Sequence, residues 1–128
     1  MPRRSFDKQS ADLPADVRRT FDRFDAYAQS RPGVSVFKLF EGRSYKVQGR
    51  IVARVDPKAN SGDGYLGIQF ALDPEALRRR IVGPLGRFVQ SRPTRPSGGH
   101  PWIFAWGESP ALDRWLAETF DTAYEIVS

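Results

Sequence analysis

The chain has 128 residues, 40% apolar and 12% aromatic, with no cysteine and a formal net charge of +5. This composition excludes a disordered chain, disulfides, thiolate metal sites and a cysteine nucleophile, and the length suits a single domain with one core. The charge is uneven: residues 31–100 are +8, residues 1–30 are +1 and residues 101–128 are −4.

A local surplus of positive charge creates a field that favours polyanions. Arginine outnumbers lysine sixteen to four, a ratio that a GC-rich genome also produces, so the positions of the arginines say more than their number. No apolar run approaches the twenty residues of a membrane span, and Met1 to Asp7 lacks the apolar stretch of a signal peptide. A cytoplasmic protein without a membrane association is expected.

Residues 1–12 are polar and aperiodic, so they are expected to form a flexible tail, with a single domain over 13–128. Pro14 suits the first position of a helix whose apolar face is Val17, Phe21, Phe24 and Ala28, and Arg31-Pro32-Gly33 stops it. Val34 to Phe40 is rich in β-branched and aromatic residues and predicts a strand. Ser44 to Val47 and Arg50 to Val55 predict a hairpin around Gln48-Gly49.

Two hairpin registers compete. A two-residue loop pairs Val47 with Arg50 and mixes charge with apolar groups on each face. A three-residue loop with left-handed Gly49 pairs Lys46 with Arg50, sends Tyr45, Ile51, Ala53 and Val55 inward, and leaves Lys46, Arg50 and Arg54 outward together. A slip of one residue exposes the larger apolar set, which favours the second register.

Asp56 to Gly64 is a turn-rich connection, and Tyr65 to Phe70 is a further strand. Asp73-Pro74 opens a short helix through Val82 with Leu77 and Ile81 inward. A short strand at Arg87–Ser91 and a last one from His100 to Trp106 follow, the latter with Trp102, Phe104 and Trp106 on one face. Ser109-Pro110 caps a final helix with a buried stripe of Leu112, Trp115, Leu116, Thr119, Phe120, Ala123 and Ile126. Short links between strands imply an antiparallel sheet, and the terminal helices on one face imply an α+β two-layer sandwich.

Catalysis finds little support. His100 is the only histidine and has no nucleophile in a recognisable motif. No catalytic residue, metal or cofactor is therefore expected. Asp56, Asn60 and Asp63 fail the calcium-loop pattern because Lys58 stands where an acid or amide belongs. Gly83-Pro84-Leu85-Gly86-Arg87 lacks the Gly-Lys-Ser/Thr of a phosphate loop.

The basic residues are the candidate site. Lys46, Arg50 and Arg54 on one sheet face, with Arg78, Arg79, Arg80, Arg87, Arg92 and Arg95 on the following helix and loop, suit phosphate contacts. Tyr65, Phe88 and Trp102 are the aromatics that could serve single strands, although the core pattern claims most large aromatics of this chain. The alternative is a protein- or small-anion-binding module in which arginines recognise carboxylates or phosphates singly.

The run Ser44-Tyr45-Lys46-Val47-Gln48-Gly49-Arg50-Ile51-Val52-Ala53-Arg54-Val55 resembles the central hairpin of the MmcQ/YjbR family of small bacterial proteins. Leu66 to Phe70 with Asp73-Pro74-Glu75, His100 to Ile103, and Ala123 to Val127 resemble its later elements. The resemblance implies a CyaY-like fold and DNA binding without a catalytic motif, with Lys46, Arg50 and Arg54 at the family's basic hairpin positions. This chain departs in the Pro/Gly-rich segment Arg92 to Gly99 and in Pro101. The expected activity is non-specific, salt-sensitive DNA binding by a monomer. With about four to six phosphates engaged, log affinity would fall against log salt with a slope of roughly −4 to −5.

Overall fold

Apolar alternation in six short segments and two amphipathic helices leave one way to bury both patterns: the helices lie on one face of a sheet. The computed structural model describes residues 6–39, 42–58, 64–81, 83–91 and 102–128. The strands are β1 (Val34–Lys38), β2 (Arg43–Val47), β3 (Arg50–Lys58), β4 (Tyr65–Phe70), β5 (Val89–Ser91) and β6 (Trp102–Ala105). They form one antiparallel sheet in the order β1-β2-β3-β4-β6-β5. The helices are α1 (Phe6–Ala11), α2 (Ala15–Ser30), α3 (Pro74–Arg80) and α4 (Pro110–Val127). The protein is an α+β two-layer sandwich with α2 and α4 packed on one sheet face.

The core is aromatic. Phe24 on α2 meets Tyr45, Phe70 and Phe120 edge-to-face, at centroid distances of 5.9, 6.1 and 5.9 Å. That geometry sets the positive ring edge against the negative face and adds to the area buried. Both predicted caps are formed. The Asp73 carboxylate accepts from the Ala76 N–H at 2.9 Å, and the Ser109 hydroxyl accepts from the Leu112 N–H at 3.0 Å. The Trp115 indole N–H donates to the Arg80 carbonyl at 2.6 Å and ties α3 to α4.

Three expectations are corrected. Within the expected tail, Phe6–Ala11 is helical. The Phe6 ring sits edge-on to Phe21 at 5.5 Å with the Arg43 guanidinium 4.2 Å from its centroid, so one aromatic at the head of a six-residue helix joins this segment to the core. Ile126 is 65% exposed rather than buried, because the last turn of α4 presents Val127, four residues beyond Ala123, to the core and leaves Ile126 beside that face.

The third correction is the hairpin, which follows neither expected register. Its tip is a two-residue loop with Gln48 at φ 52° and Gly49 at φ 79°, both left-handed, and Val47 pairs with Arg50. The pairing then shifts by one residue: Lys46 faces Ile51 and Tyr45 faces Ala53, so Val52 is a bulge. Beyond it Tyr45, Ala53 and Val55 are buried, while Ile51 is 49% exposed and Val52 is fully buried. The bulge resolves the conflict between turn and core: the tip keeps the tight turn that strand twist prefers, and one extra residue restores the apolar face.

Candidate nucleic-acid interface

Cross-strand partners share a face, so the contacts of Tyr45 with Phe24 and Phe120 define the helix-covered side of every strand. On that side the charges are paired. Glu108 accepts from Arg19 at 2.9 Å and lies 2.8 Å from Arg23, which also bonds Asp113 at 2.8 Å. These guanidinium hydrogen bonds, Arg19's first, hold the Glu108 carboxyl down to about 2. Arg31 lies 3.2 Å from Asp121, and the Asp121 carboxylate also accepts from Tyr27 at 2.6 Å. That hydrogen bond raises the Tyr27 phenol above its ordinary range. The acids of residues 101–128 are thus largely matched to cations of α2 and its C-terminal turn.

The opposite side carries no helix among the described residues. One cross-strand row crosses five strands there: Phe37 on β1 faces Ser44, Ser44 faces Arg54, Arg54 faces Gln69, and Gln69 faces Trp102 on β6. Four strand intervals set its two aromatic ends about 19 Å apart. Phe37 is 55% exposed, and the Lys46 ammonium stands 4.1 Å from its ring centroid. Lys46 makes no ion pair among the described residues.

At the row's centre Arg54 Nε lies 3.3 Å from Asp56 Oδ1, and its guanidinium is 6.0 Å from the Trp102 ring. Asp56 is buried against Gly42, whose missing side chain gives its carboxylate room. The Trp102 indole lies beside Gly67, where an added Cβ would make ordinary contact with the ring at 3.5 Å and a tighter one with the Asp56 carbonyl at 3.3 Å. Beside it Tyr65 stacks on Phe104 at 4.3 Å. All three of these aromatic side chains are partly exposed.

The expected basic set divides. Lys46 and Arg54 share the open face. Arg50 does not join them: it pairs with buried Val47 and leaves from the other side of the hairpin tip, because Val52 shifts the count between Arg50 and Arg54. Arg78, Arg79 and Arg80 lie on α3. Arg79 pairs with Glu75 at 2.9 Å, and Arg80 donates to the Thr119 hydroxyl of α4 at 3.1 Å. Arg87 is exposed on the 3₁₀ turn Gly83–Arg87. The Arg78–Arg80 segment therefore borders the helix layer, not the open face. Arg92, Arg95 and His100 lie outside the described residues.

Phe37, Ser44 and Gln69 are face residues that the basic pattern missed. Only the alternation of Tyr65, Gly67 and Gln69, and of Trp102 and Phe104, hinted at them, and the alignment of rows depends on a register the hairpin leaves ambiguous. Two cavities lie in the helix layer. One of about 300 Å³ is lined by Arg23, Phe24, Tyr27, Asp113, Arg114, Leu116 and Ala117. The other, about 360 Å³, lies between α3 and α4 and also includes Arg114. Among the described residues no three His, Cys, Asp or Glu side chains gather to hold a metal ion. No helix among them is long and apolar enough to cross a membrane. The chain matches no family model, no curated protein and no solved structure.

Proposed function

We propose that this is a non-enzymatic nucleic-acid-binding protein that engages its ligand with the open face of the sheet, in keeping with its resemblance to the MmcQ/YjbR family. The observation that carries this reading is the row from Phe37 to Trp102, with Arg54 at its centre and Lys46 against its first ring. Cations interleaved with partly exposed aromatics suit a ligand with both phosphates and flat bases. A cytoplasmic location accords with the absence of cysteine.

The division of the arginines lowers the expected number of phosphate contacts. Lys46 and Arg54 offer about two, for a slope of log affinity against log salt of roughly −2. Anisotropy titrations of a labelled oligonucleotide at several salt concentrations test this. No binding at about 50 mM salt would end the proposal.

A second reading, small-anion binding, draws on Arg114. It lines both helix-layer cavities and has no ion pair among the described residues. Calorimetric titration with inorganic phosphate and with benzoate, on the parent and on Arg114→Ala, tests that reading.

A further inference from the structure

We infer that the open face takes single-stranded nucleic acid in preference to duplex, its bases stacking on Trp102, on the Tyr65–Phe104 pair and on Phe37. The inference rests on the nucleic-acid reading above and names its substrate class. In a duplex the flat faces of the bases are stacked on one another, and a protein meets phosphates and groove edges. A partly exposed aromatic ring on a sheet is useful only to a base that has left its stack.

The shape of the face agrees. Reading a major groove takes an inserted helix or a two-stranded ribbon. Among the described residues no helix stands on this side, and the hairpin tip is only Gln48-Gly49. The surface is a strand-paired platform about 19 Å across from Phe37 to Trp102. That is wide enough for several splayed nucleotides.

The chemistry is that of stacking assisted by charge, not of charge alone. Lys46 stands at one ring and Arg54 near another, so a phosphate between two stacked bases meets a cation. Ser44 and Gln69 alternate with these groups along the row. Ser44 is buried beneath the row, whereas the amide of partly exposed Gln69 both donates and accepts, which suits the edge of an unpaired base. With so few cations a duplex would be held weakly, whereas each stacked base contributes roughly 5- to 100-fold in affinity.

The test uses the full chain at about 50 mM salt with three labelled probes: a 12-nucleotide oligo-dT, the matching oligo-U, and a 12-base-pair mixed-sequence duplex. Either single strand is expected to bind at least about 10-fold tighter than the duplex, and the tighter of the two assigns DNA or RNA. Trp102→Ala and Phe37→Ala are each expected to weaken single-strand binding by roughly 5- to 50-fold and leave duplex binding unchanged. Trp102→Phe is expected to keep most of the affinity while losing the quenching of indole emission on binding.

Phe37 is an exposed residue of an edge strand, so Phe37→Ala remains informative if Trp102→Ala does not fold. Duplex binding as tight as single-strand binding overturns this inference and leaves the nucleic-acid reading standing. Unchanged single-strand affinity in variants that melt like the parent does the same. Failure of all three probes to bind overturns both.

Discussion

The two faces of the sheet are both aromatic, and they differ in what the aromatics meet. On the covered face Phe24, Tyr45, Phe70 and Phe120 meet one another edge-to-face. On the open face Phe37 meets Lys46, and Trp102 lies near Arg54. Charges divide in the same way. Beside the covered face Arg19, Arg23 and Arg31 are matched to Glu108, Asp113 and Asp121, whereas Lys46 on the open face has no carboxylate partner among the described residues. One face satisfies its groups internally and stabilises the fold. The other leaves rings and a cation partly exposed.

Truncating one ring on each face is the severest trial of this division. Phe24→Ala removes the hub of the covered face and should cost about 3–5 kcal/mol in denaturant unfolding, a large share of the roughly 5–15 kcal/mol that holds a domain folded. Phe37→Ala should shift stability by no more than about 0.5–1 kcal/mol. Similar losses at the two positions would abolish the distinction.

Gly42 tests whether the open face depends on a packed support. A Cβ there would overlap the Asp56 carboxylate and sit 2.8 Å from the Val55 carbonyl. Gly42→Ala should cost about 1–3 kcal/mol and disturb the Arg54–Asp56 pair. Thermal melts and an oligonucleotide titration of the same variant measure both effects.

Tyr45 probes the polar margin of the covered face. Its hydroxyl donates to Asp25 at 2.6 Å, and that carboxylate keeps Arg43 at 3.7 Å and Gln29 at 2.8 Å as further partners. Tyr45→Phe should therefore cost only about 1 kcal/mol near neutral pH. Burial, and then the bond to Asp25, raise the phenol well above its ordinary value of 10.0. Because the folded pKa is raised, this stabilisation is complete below pH 10 and is lost as pH climbs toward the folded value. The alkaline limb of a melting-temperature profile should be shallower in Tyr45→Phe, although Tyr27 retains a contribution of the same sign.

The smallest effect is expected at Glu108. Its pKa falls from 4.5 to about 2 in the folded protein, so its contribution is complete above pH 4.5 and disappears as pH drops to about 2. The pair is solvent-exposed, so the change should be slight and fade with added salt. Melting curves of Glu108→Gln and parent between pH 5 and pH 2 at two salt concentrations measure it.

Much of the architecture was legible in residue patterns. The stripe Val17, Phe21, Phe24 and Ala28 is buried as its spacing requires, and Asp73 and Ser109 cap their helices. These features depend on neighbours within a few positions. The site was less legible because it depends on register between strands. Arg50 and Arg54 look equivalent in an alternating pattern, and the bulge separates them. α1 was missed because six residues are too few to show a period and Phe6 is their one large apolar side chain. The arginines of α3 resembled a free cationic cluster until Thr119 and Glu75 appeared beside them.

Val52 also acts as a parity switch for the chain beyond the turn. In an uninterrupted ladder every residue downstream of Val52 would project to the reverse side: Arg54 would be driven under the helices and Val55 outward. Pairing this one valine in the ladder would invert the rest of the strand, and the β4 and β6 partners aligned on it would lose their match as well; deleting it would only straighten the strand and leave Arg54 opposite Ser44. A hydrophobic residue with no partner in the ladder thereby fixes which side of the sheet carries Arg54.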